Sequence, residues 1–365
     1  MKFGFVLTDL SGGGAEKAIL NVALGLHKRG HTVNIFLLRN LGEYAAPSEV
    51  SLTYISKKPS FSWIGKRVLA FRLSTAIKLK EKSGCFDIVI STLPLADEIS
   101  KLANVPNHWC RIANTLSAEV NSIAKKNTRK SKRRFERYRR IYSSSNLIAV
   151  SSGVKEDLQR YFHLNDQLIE VIYNPFDFDL IRKKANESVN LPNEKYIIHV
   201  GRFSTQKRHD ILLDAYQKKI QNLCKLVLLT DQNEILKEMI IERGLENRVI
   251  VAGFQINPYP WISNAELLVL SSDFEGMPNV LIESLVVGTP IVSTDCPSGP
   301  REILGTMFNE NLVPVGDAVA LSNAINFVLE SSGKVFSINL DKYHSDRSID
   351  KYEQLVKRGV ECVEY

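Results

Sequence analysis

At 365 residues, 44% hydrophobic and 24% charged, the chain is too long for one ordinary core and has the composition of a soluble two-domain protein. Its five cysteines (Cys85, Cys110, Cys224, Cys296 and Cys362) are scattered and odd in number, which argues against a disulfide framework or a zinc site and for a reducing compartment. The net charge of +7 is concentrated: from Lys125 to Arg140 ten basic residues stand against one acid, Glu136, so this segment carries +9 and the remainder −2. The opening apolar run is too short for a secretory signal and no stretch approaches a membrane span, so the cytoplasm is the expected location.

In chain order, KFGFVLT predicts a short buried strand, and DLSGGG a loop leading into a helix through AEKAILNVALGLHKRG. Ile19, Val22, Ala23 and Leu26 recur there at helical spacing, and Gly30 is the stop. HTVNIFLL is the next buried strand, completing a strand–helix–strand unit that implies a parallel sheet. Further strands are expected at residues 87–92, 107–113 and 146–152. NPFDFD reads as a connection between domains, with Asp177 and Asp179 as hinge or turn residues. The alternation then restarts with strand KYIIHVGR, helix HDILLDAYQKK, strand KLVLLT, helix NEILKEMIIERG and strand RVIVAGF. Strand ELLVLSS, helix NVLIESLVVG and strand PIVST complete it. The expected fold is α/β: two Rossmann-like, doubly wound parallel-sheet domains, residues 1–173 and 174–345, facing a cleft at the strands' carboxyl ends. A last helix within residues 346–365 is expected to pack back on the first domain.

The stretch from Ser271 to Leu304, SSDFEGMPNVLIESLVVGTPIVSTDCPSGPREIL, concentrates the candidate chemistry. A strand ends, a turn holds Glu275, Gly276, Met277 and Pro278, and a helix starts near Asn279 with Glu283 about one turn inside it. Unpaired N–H groups at such a helix start suit a diphosphate, and Gly276 permits close backbone approach. A carboxylate within the helix can accept hydrogen bonds from a diol such as ribose. Two glutamates at a helix start are ordinary by themselves. Together with SGGGAEK before HTV, VGRFSTQKRHDILLDAY and PSGPREIL in that order, the stretch resembles the glutamate-x7-glutamate signature of the retaining glycosyltransferases of family four, which have the GT-B fold.

That resemblance implies that Glu275 faces the donor sugar's hydroxyls, that Glu283 holds the ribose and that Arg202 and Lys207 flank the diphosphate. Gly12, Gly13 and Gly14 become a loop under the phosphates, and Phe254, Met277, Pro278 and Asn279 complete the donor-binding set. Catalysis then rests on Glu275, Arg202 and Lys207, with no nucleophilic residue, no metal and no cofactor; the acceptor attacks the face that the nucleotide leaves. UDP is the expected nucleotide. Two departures from the family pattern stand out. Thr230 and Asp231 replace a frequent glycine pair, and Ala113 and Asn114 lie where many relatives carry a histidine; His108, upstream, reads as structural.

The basic segment carries its own stripe, Phe135, Tyr138, Ile141 and Tyr142, at helical spacing. Such a helix is expected to lie on an anionic membrane, with Lys132, Arg133, Arg134, Arg137 and Arg140 at the surface and the stripe in the headgroup boundary. The alternative is a solvated helix that packs the stripe on its own domain. SFSWIGKRVLAFR (60–72) is a second aromatic and basic stretch that can share that face. No nucleic acid is expected as a partner. The reading is a transferase that moves a hexose or N-acetylhexosamine from a nucleotide diphosphate sugar to a lipid-linked oligosaccharide or lipopolysaccharide, peripheral on the inner face of the membrane. The rivals are a nucleotide-sugar 2-epimerase of the same fold and a non-catalytic basic membrane- or nucleic-acid-binding protein.

Overall fold

The computed structural model describes residues 1–11, 13–42, 47–57, 59–165, 167–218, 224–331 and 338–361, so Gly12 and Cys362 lie outside the described residues. The chain divides into two compact units, Met1–Pro175 with Asp341–Tyr365, and Phe176–Leu340.

In the first unit β1 (Lys2–Leu7), α1 (Gly14–Lys28), β2 (Thr32–Leu37) and β3 (Ser51–Tyr54) precede α2 (Trp63–Glu81), β4 (Ile88–Thr92) and α3 (Pro94–Leu102). Then come β5 (His108–Ile112), α4 (Leu116–Lys126), α5 (Thr128–Tyr142), β6 (Asn146–Ala149), α6 (Ser152–Phe162) and β7 (Ile169–Val171). The strands form one parallel sheet in the order β3-β2-β1-β4-β5-β6-β7. Strand β1 is buried on both faces because helices cover both. Its alternate side chains serve separate cores: Phe3, Phe5 and Leu7 pack with α1, and Val6 packs with Leu69 and Leu73 of α2 and Ile99 of α3.

The second unit opens with α7 (Phe178–Ala185), β8 (Tyr196–Val200), α8 (His209–Lys218), β9 (Lys225–Leu229), α9 (Glu234–Ile241) and β10 (Val249–Val251). It continues through α10 (Tyr259–Ser263), β11 (Leu267–Leu270), α11 (Asn279–Val287), β12 (Ile291–Thr294), α12 (Pro300–Leu304), β13 (Leu312–Val313) and α13 (Ala318–Glu330). Its six strands are parallel in the order β10-β9-β8-β11-β12-β13. Both units are thus doubly wound parallel sheets. Asp177 caps α7 by accepting from Leu180 N at 3.0 Å, and Asp179 pairs with Arg182 at 3.4 Å. These two acids thus stand at a helix start beside the boundary of the two units, where an aspartate in the N-cap position satisfies a donor that the helix cannot.

The chain returns to the first unit as α14 (Ser345–Glu361). Ile349, Tyr352, Leu355 and Val356 enter the core around α1. Gly25 of α1 is required there: a Cβ would lie 2.8 Å from Ile349 Cδ1. Arg29 adds ion pairs to Asp346, Asp350 and Glu353 at 3.1, 2.6 and 3.2 Å.

A buried polar network ties β4, α3, β5 and α5 together. Ser91 Oγ donates to Asp97 Oδ1 at 2.5 Å, Tyr142 Oη donates to Asp97 Oδ2 at 2.8 Å, and His108 Nε2 lies 2.8 Å from Ser91 Oγ. His108 stands at the amino end of β5, and burial beside Lys101 pushes its imidazole down to about 4. Burial pushes the Asp97 carboxyl up from 3.8 to about 7, against the hydrogen bonds from Ser91 and Tyr142. Asp97 therefore keeps in the folded state a proton that the unfolded chain has lost, and stability declines as pH rises through that window. Between pH 6.5 and 8 this group is expected to cost about 1 kcal/mol of unfolding free energy. That range keeps the buried His108, His199 and His209, all pushed down by burial, neutral in the folded protein. Across it the three histidines, still partly protonated in the unfolded chain, make stability rise with pH, so the native midpoint should rise less than that of Asp97→Asn; parallel slopes would disprove the assignment.

Candidate active site at the switch point of the second unit

Strand order reverses between β8 and β11, which are hydrogen-bonded neighbours although separated by β9 and β10 in the chain. Loops leaving the carboxyl ends of two such strands diverge over the sheet and leave room for a ligand. The β8 loop carries Gly201 and Arg202 and ends in a 3₁₀ turn, Thr205–Lys207. The β11 loop carries Ser271 to Pro278 into α11. Three hydrogen bonds staple the loops together. Asp273 N donates to Gln206 O at 2.8 Å, Gln206 Nε2 to Phe274 O at 2.7 Å, and Ser271 Oγ to Lys207 O at 2.8 Å.

The stapling brings two of the candidate residues into contact. Lys207 Nζ lies 2.6 Å from Glu275 Oε1, and Ser272 Oγ donates to the same oxygen at 2.6 Å. Glu275 is buried and Lys207 half-buried, so the carboxylate takes its neutralising charge from the lysine. Gly201 leaves space for that lysine: a Cβ there would lie 3.3 Å from Lys207 Cε. Arg202, by contrast, is exposed and makes no hydrogen bond or ion pair among the described residues.

Helix α11 starts at Asn279 behind the buried turn Gly276–Met277–Pro278. Pro278 in the N-cap position offers no side-chain acceptor, so the positive end of the helix is left for other groups. Glu283 lies inside the helix, buried, with Tyr259 Oη donating to Oε1 at 3.4 Å. The segment PSGPREIL braces this turn. Glu275 N donates to Pro297 O at 3.3 Å, and Gly299, at φ +105°, packs so close to Pro278 that a Cβ would lie 2.3 Å from its Cδ.

Other candidates fall elsewhere. Gly13 is the extended N-cap of α1, at the carboxyl end of β1 in the first unit, and Gly14 opens the helix. Asp9 in that loop accepts from Ser11 and pairs with Arg39 at 2.5 Å; these partners outweigh burial and hold its carboxyl below the usual range. Phe254 follows β10 at the edge of the second sheet, two strands from β8.

Two histidines escaped the sequence reading, and Thr230 entered it only as a departure from the family pattern. Thr230, at the carboxyl end of β9 beside β8, has a buried Oγ1 with no partner among the described residues. His199 donates through Nδ1 to Val269 O at 2.9 Å, and its ring meets His209 edge-on at 4.8 Å. Burial pushes both imidazoles down, His209 to about 4, so Lys207 rests near two neutral rings. Their signal was present in HVGR and KRHD, but only the tertiary packing pairs them.

The basic helix α5 departs from expectation. Its stripe does not face outward: Tyr138, Ile141 and Tyr142 are 0, 1 and 1% exposed, and Phe135 stacks on Phe162 of α6 at 5.3 Å. The four apolar groups find closer cover in α3, α4 and α6 than any bilayer would provide. Three of the five surface cations are engaged as well, Arg134 with Glu119 at 3.2 Å and Arg137 and Arg140 with Glu98 at 2.7 and 3.3 Å. Lys132 and Arg133 remain exposed. Among the described residues no helix is long and apolar enough to cross a membrane.

Known families match both halves of the chain. Residues 12–180 match the family model "Glycosyltransferase Family 4", and residues 181–344 match "Glycosyl transferases group 1". The chain is 30% identical over 338 residues to the Campylobacter jejuni N-acetylgalactosamine-N,N'-diacetylbacillosaminyl-diphospho-undecaprenol 4-alpha-N-acetylgalactosaminyltransferase, covering 90% of each chain. It is 28% identical to the Escherichia coli lipopolysaccharide 1,6-galactosyltransferase, covering 57% of this chain and 60% of that one. In fold it resembles the sucrose-phosphate synthase of Thermosynechococcus elongatus, with a TM-score of 0.81 at 16% identity over 99% of this chain and 100% of that one. Anabaena HepE in complex with UDP-glucose gives 0.72 at 20% identity over the full length of both. With both halves of the chain matched and nine-tenths of the Campylobacter enzyme covered at 30% identity, the chain belongs to the family-four glycosyltransferases of the GT-B fold and is a hexosyltransferase.

Proposed function

We propose that the chain transfers a hexose or N-acetylhexosamine from a UDP-sugar to a lipid-linked saccharide or lipopolysaccharide acceptor, with retention of configuration, on the cytoplasmic face of a membrane. The second unit takes the donor and the first the acceptor. The observation that carries the reading is the meeting of Arg202, exposed and without a partner among the described residues, the Lys207–Glu275 pair and the start of α11 at one switch point. The acceptors named for the Campylobacter and Escherichia relatives, and the UDP-glucose bound by the Anabaena protein, support it.

In this reading the diphosphate lies against the start of α11, where helix N–H groups and Arg202 meet its charge. Lys207 turns from Glu275 toward the phosphates, and Glu275 is freed to accept from sugar hydroxyls. Glu283, buried below, accepts from the ribose diol. The C1–O bond to the diphosphate breaks as an acceptor oxygen bonds C1 on the same face, and the acceptor's proton passes to the departing phosphate oxygen. Once Lys207 has turned, the two cations stabilise the charge that gathers there.

The test is a panel of nucleotide sugars scored by thermal stabilisation. A true donor at 100 times its dissociation constant adds about 2.7 kcal/mol. UDP-sugars should stabilise where GDP- and ADP-sugars do not, and the bound donor should hydrolyse slowly to UDP without acceptor. Stabilisation by no nucleotide sugar, or release of an epimerised sugar, would overturn the reading.

A further inference from the structure

Helix α2 is apolar on two sides. Leu69, Ala70, Leu73 and Ile77 pack inward with β1 and α3, as a half-buried helix requires. On the opposite side Trp63, Ile64, Val68 and Phe71 are 69, 67, 43 and 74% exposed. Helical geometry places Ile64, Val68 and Phe71 one above another at i, i+4 and i+7. Single exposed apolar residues are common on a surface, but a contiguous stripe marks a docking surface.

The charges around the stripe say which partner. From Trp63 to Glu81 the helix holds Lys66, Arg67, Arg72, Lys78 and Lys80 against Glu81 alone. The Arg67 guanidinium lies 4.3 Å from the Trp63 ring centroid, an arrangement suited to the wet boundary of a bilayer. On the inner side Lys66 Nζ reaches Glu98 at 2.8 Å, the carboxylate that Arg137 and Arg140 of α5 also share. Glu98 thus joins α2 to the basic helix through α3 and neutralises only one of three cations. Burial pushes the Glu98 carboxyl up, but Lys66 and Arg137 outweigh that and hold it below its usual range, so the clamp stays charged. A second copy of this chain that paired α2 with α2 would set two such cationic helices face to face, which like charges oppose.

We propose that the outer face of α2 docks on an anionic lipid bilayer. Trp63, Ile64, Val68 and Phe71 enter the boundary between headgroups and acyl chains, while Arg67, Arg72 and the exposed Lys132 and Arg133 of α5 meet the lipid phosphates. The stripe that α5 keeps for its own unit is thereby replaced by one on α2. The inference draws its purpose from the proposed lipid-linked acceptor, but attachment itself is measured with neither sugar nor acceptor present.

The full chain contains three tryptophans, and Trp109 and Trp261 are buried, so Trp63 is the natural reporter. Vesicles of phosphatidylglycerol and phosphatidylcholine with brominated acyl chains should quench its emission and shift it to the blue. Trp63→Phe should abolish the quenching while sedimentation with the vesicles persists. Ile64→Ser with Phe71→Ser should lower the partition coefficient about a hundredfold, since two large apolar side chains no longer leave water. Both sites are exposed, so the variant's thermal midpoint and its stabilisation by a nucleotide sugar should match the native chain. Three results would each overturn the proposal: bound protein with unquenched Trp63, undiminished binding of the double variant, or a native dimer in sedimentation that the double variant loses. Vesicle binding lost in the native chain while donor stabilisation persists would sink this inference alone; loss of donor stabilisation would sink the proposed function alone.

Discussion

Arg202→Ala is expected to fold as stably as the native chain and to turn over about a hundredfold more slowly, the scale on which removal of one preorganised charge stabiliser acts. The side chain is exposed and has no partner among the described residues, so its loss leaves nothing buried and unpaired. Its proposed contribution appears only as the diphosphate departs. Lys207→Ala should lower turnover by a similar factor but also reduce stability by about 1–3 kcal/mol, because Glu275 is buried and would be left with an uncompensated charge. Measuring kcat and the denaturant midpoint of each variant separates the two. Turnover near native in Arg202→Ala would remove that residue from the mechanism. Since two side-chain cations supply the charge, activity should also survive EDTA; loss in EDTA with rescue by Mn²⁺ would require a different account of the leaving group.

Glu283→Ala and Glu275→Ala are expected to fail in different ways. Glu283 lies inside α11 beside Tyr259, where a carboxylate that accepts from a diol acts on the bound nucleotide in ground and transition states alike. A hydrogen bond to a charged group contributes about 1.5–3 kcal/mol, so Glu283→Ala should weaken UDP binding by about ten- to a hundredfold. Its kcat at saturating donor should change little. Glu275, in the loop and paired with Lys207, should instead affect kcat, with UDP affinity close to native. Calorimetric titration with UDP and steady-state kinetics provide both numbers. The opposite division, Glu275→Ala losing only affinity, would exchange the two roles.

Much of the fold was legible because strands buried on both faces read as continuous apolar runs. KFGFVLT, HTVNIFLL, KYIIHVGR, KLVLLT and ELLVLSS all became parallel strands. Strands β3, β7 and β13 were not legible: they end their sheets, and SLTY, IEV and LV hold at most two consecutive apolar residues, whereas the equally short β10 and β11 are continuous apolar runs. Helix α2 escaped for the opposite reason, since apolar residues on both of its sides erase the one-sided stripe by which a helix is recognised. Helix α7 hid behind NPFDFD, whose Asp177 serves as a cap where the composition suggested only a turn.

By itself the sequence determined which segments seek burial and in what order the loops follow them, and from that order the candidate residues could be named one by one. Periodicity records that a face must be covered; it carries no information about which surface covers it. The stripe on α5 was read correctly as apolar and assigned to a membrane, but α6 lies closer, and Phe135 stacks on Phe162. Likewise Lys207 and Glu275 stand 68 positions apart, and they meet because β8 and β11 pair at the reversal of strand order, a property of the sheet as a whole. Only the tertiary structure could also gather Lys66, Arg137 and Arg140 on Glu98, since a shared carboxylate depends on three helices packing side by side.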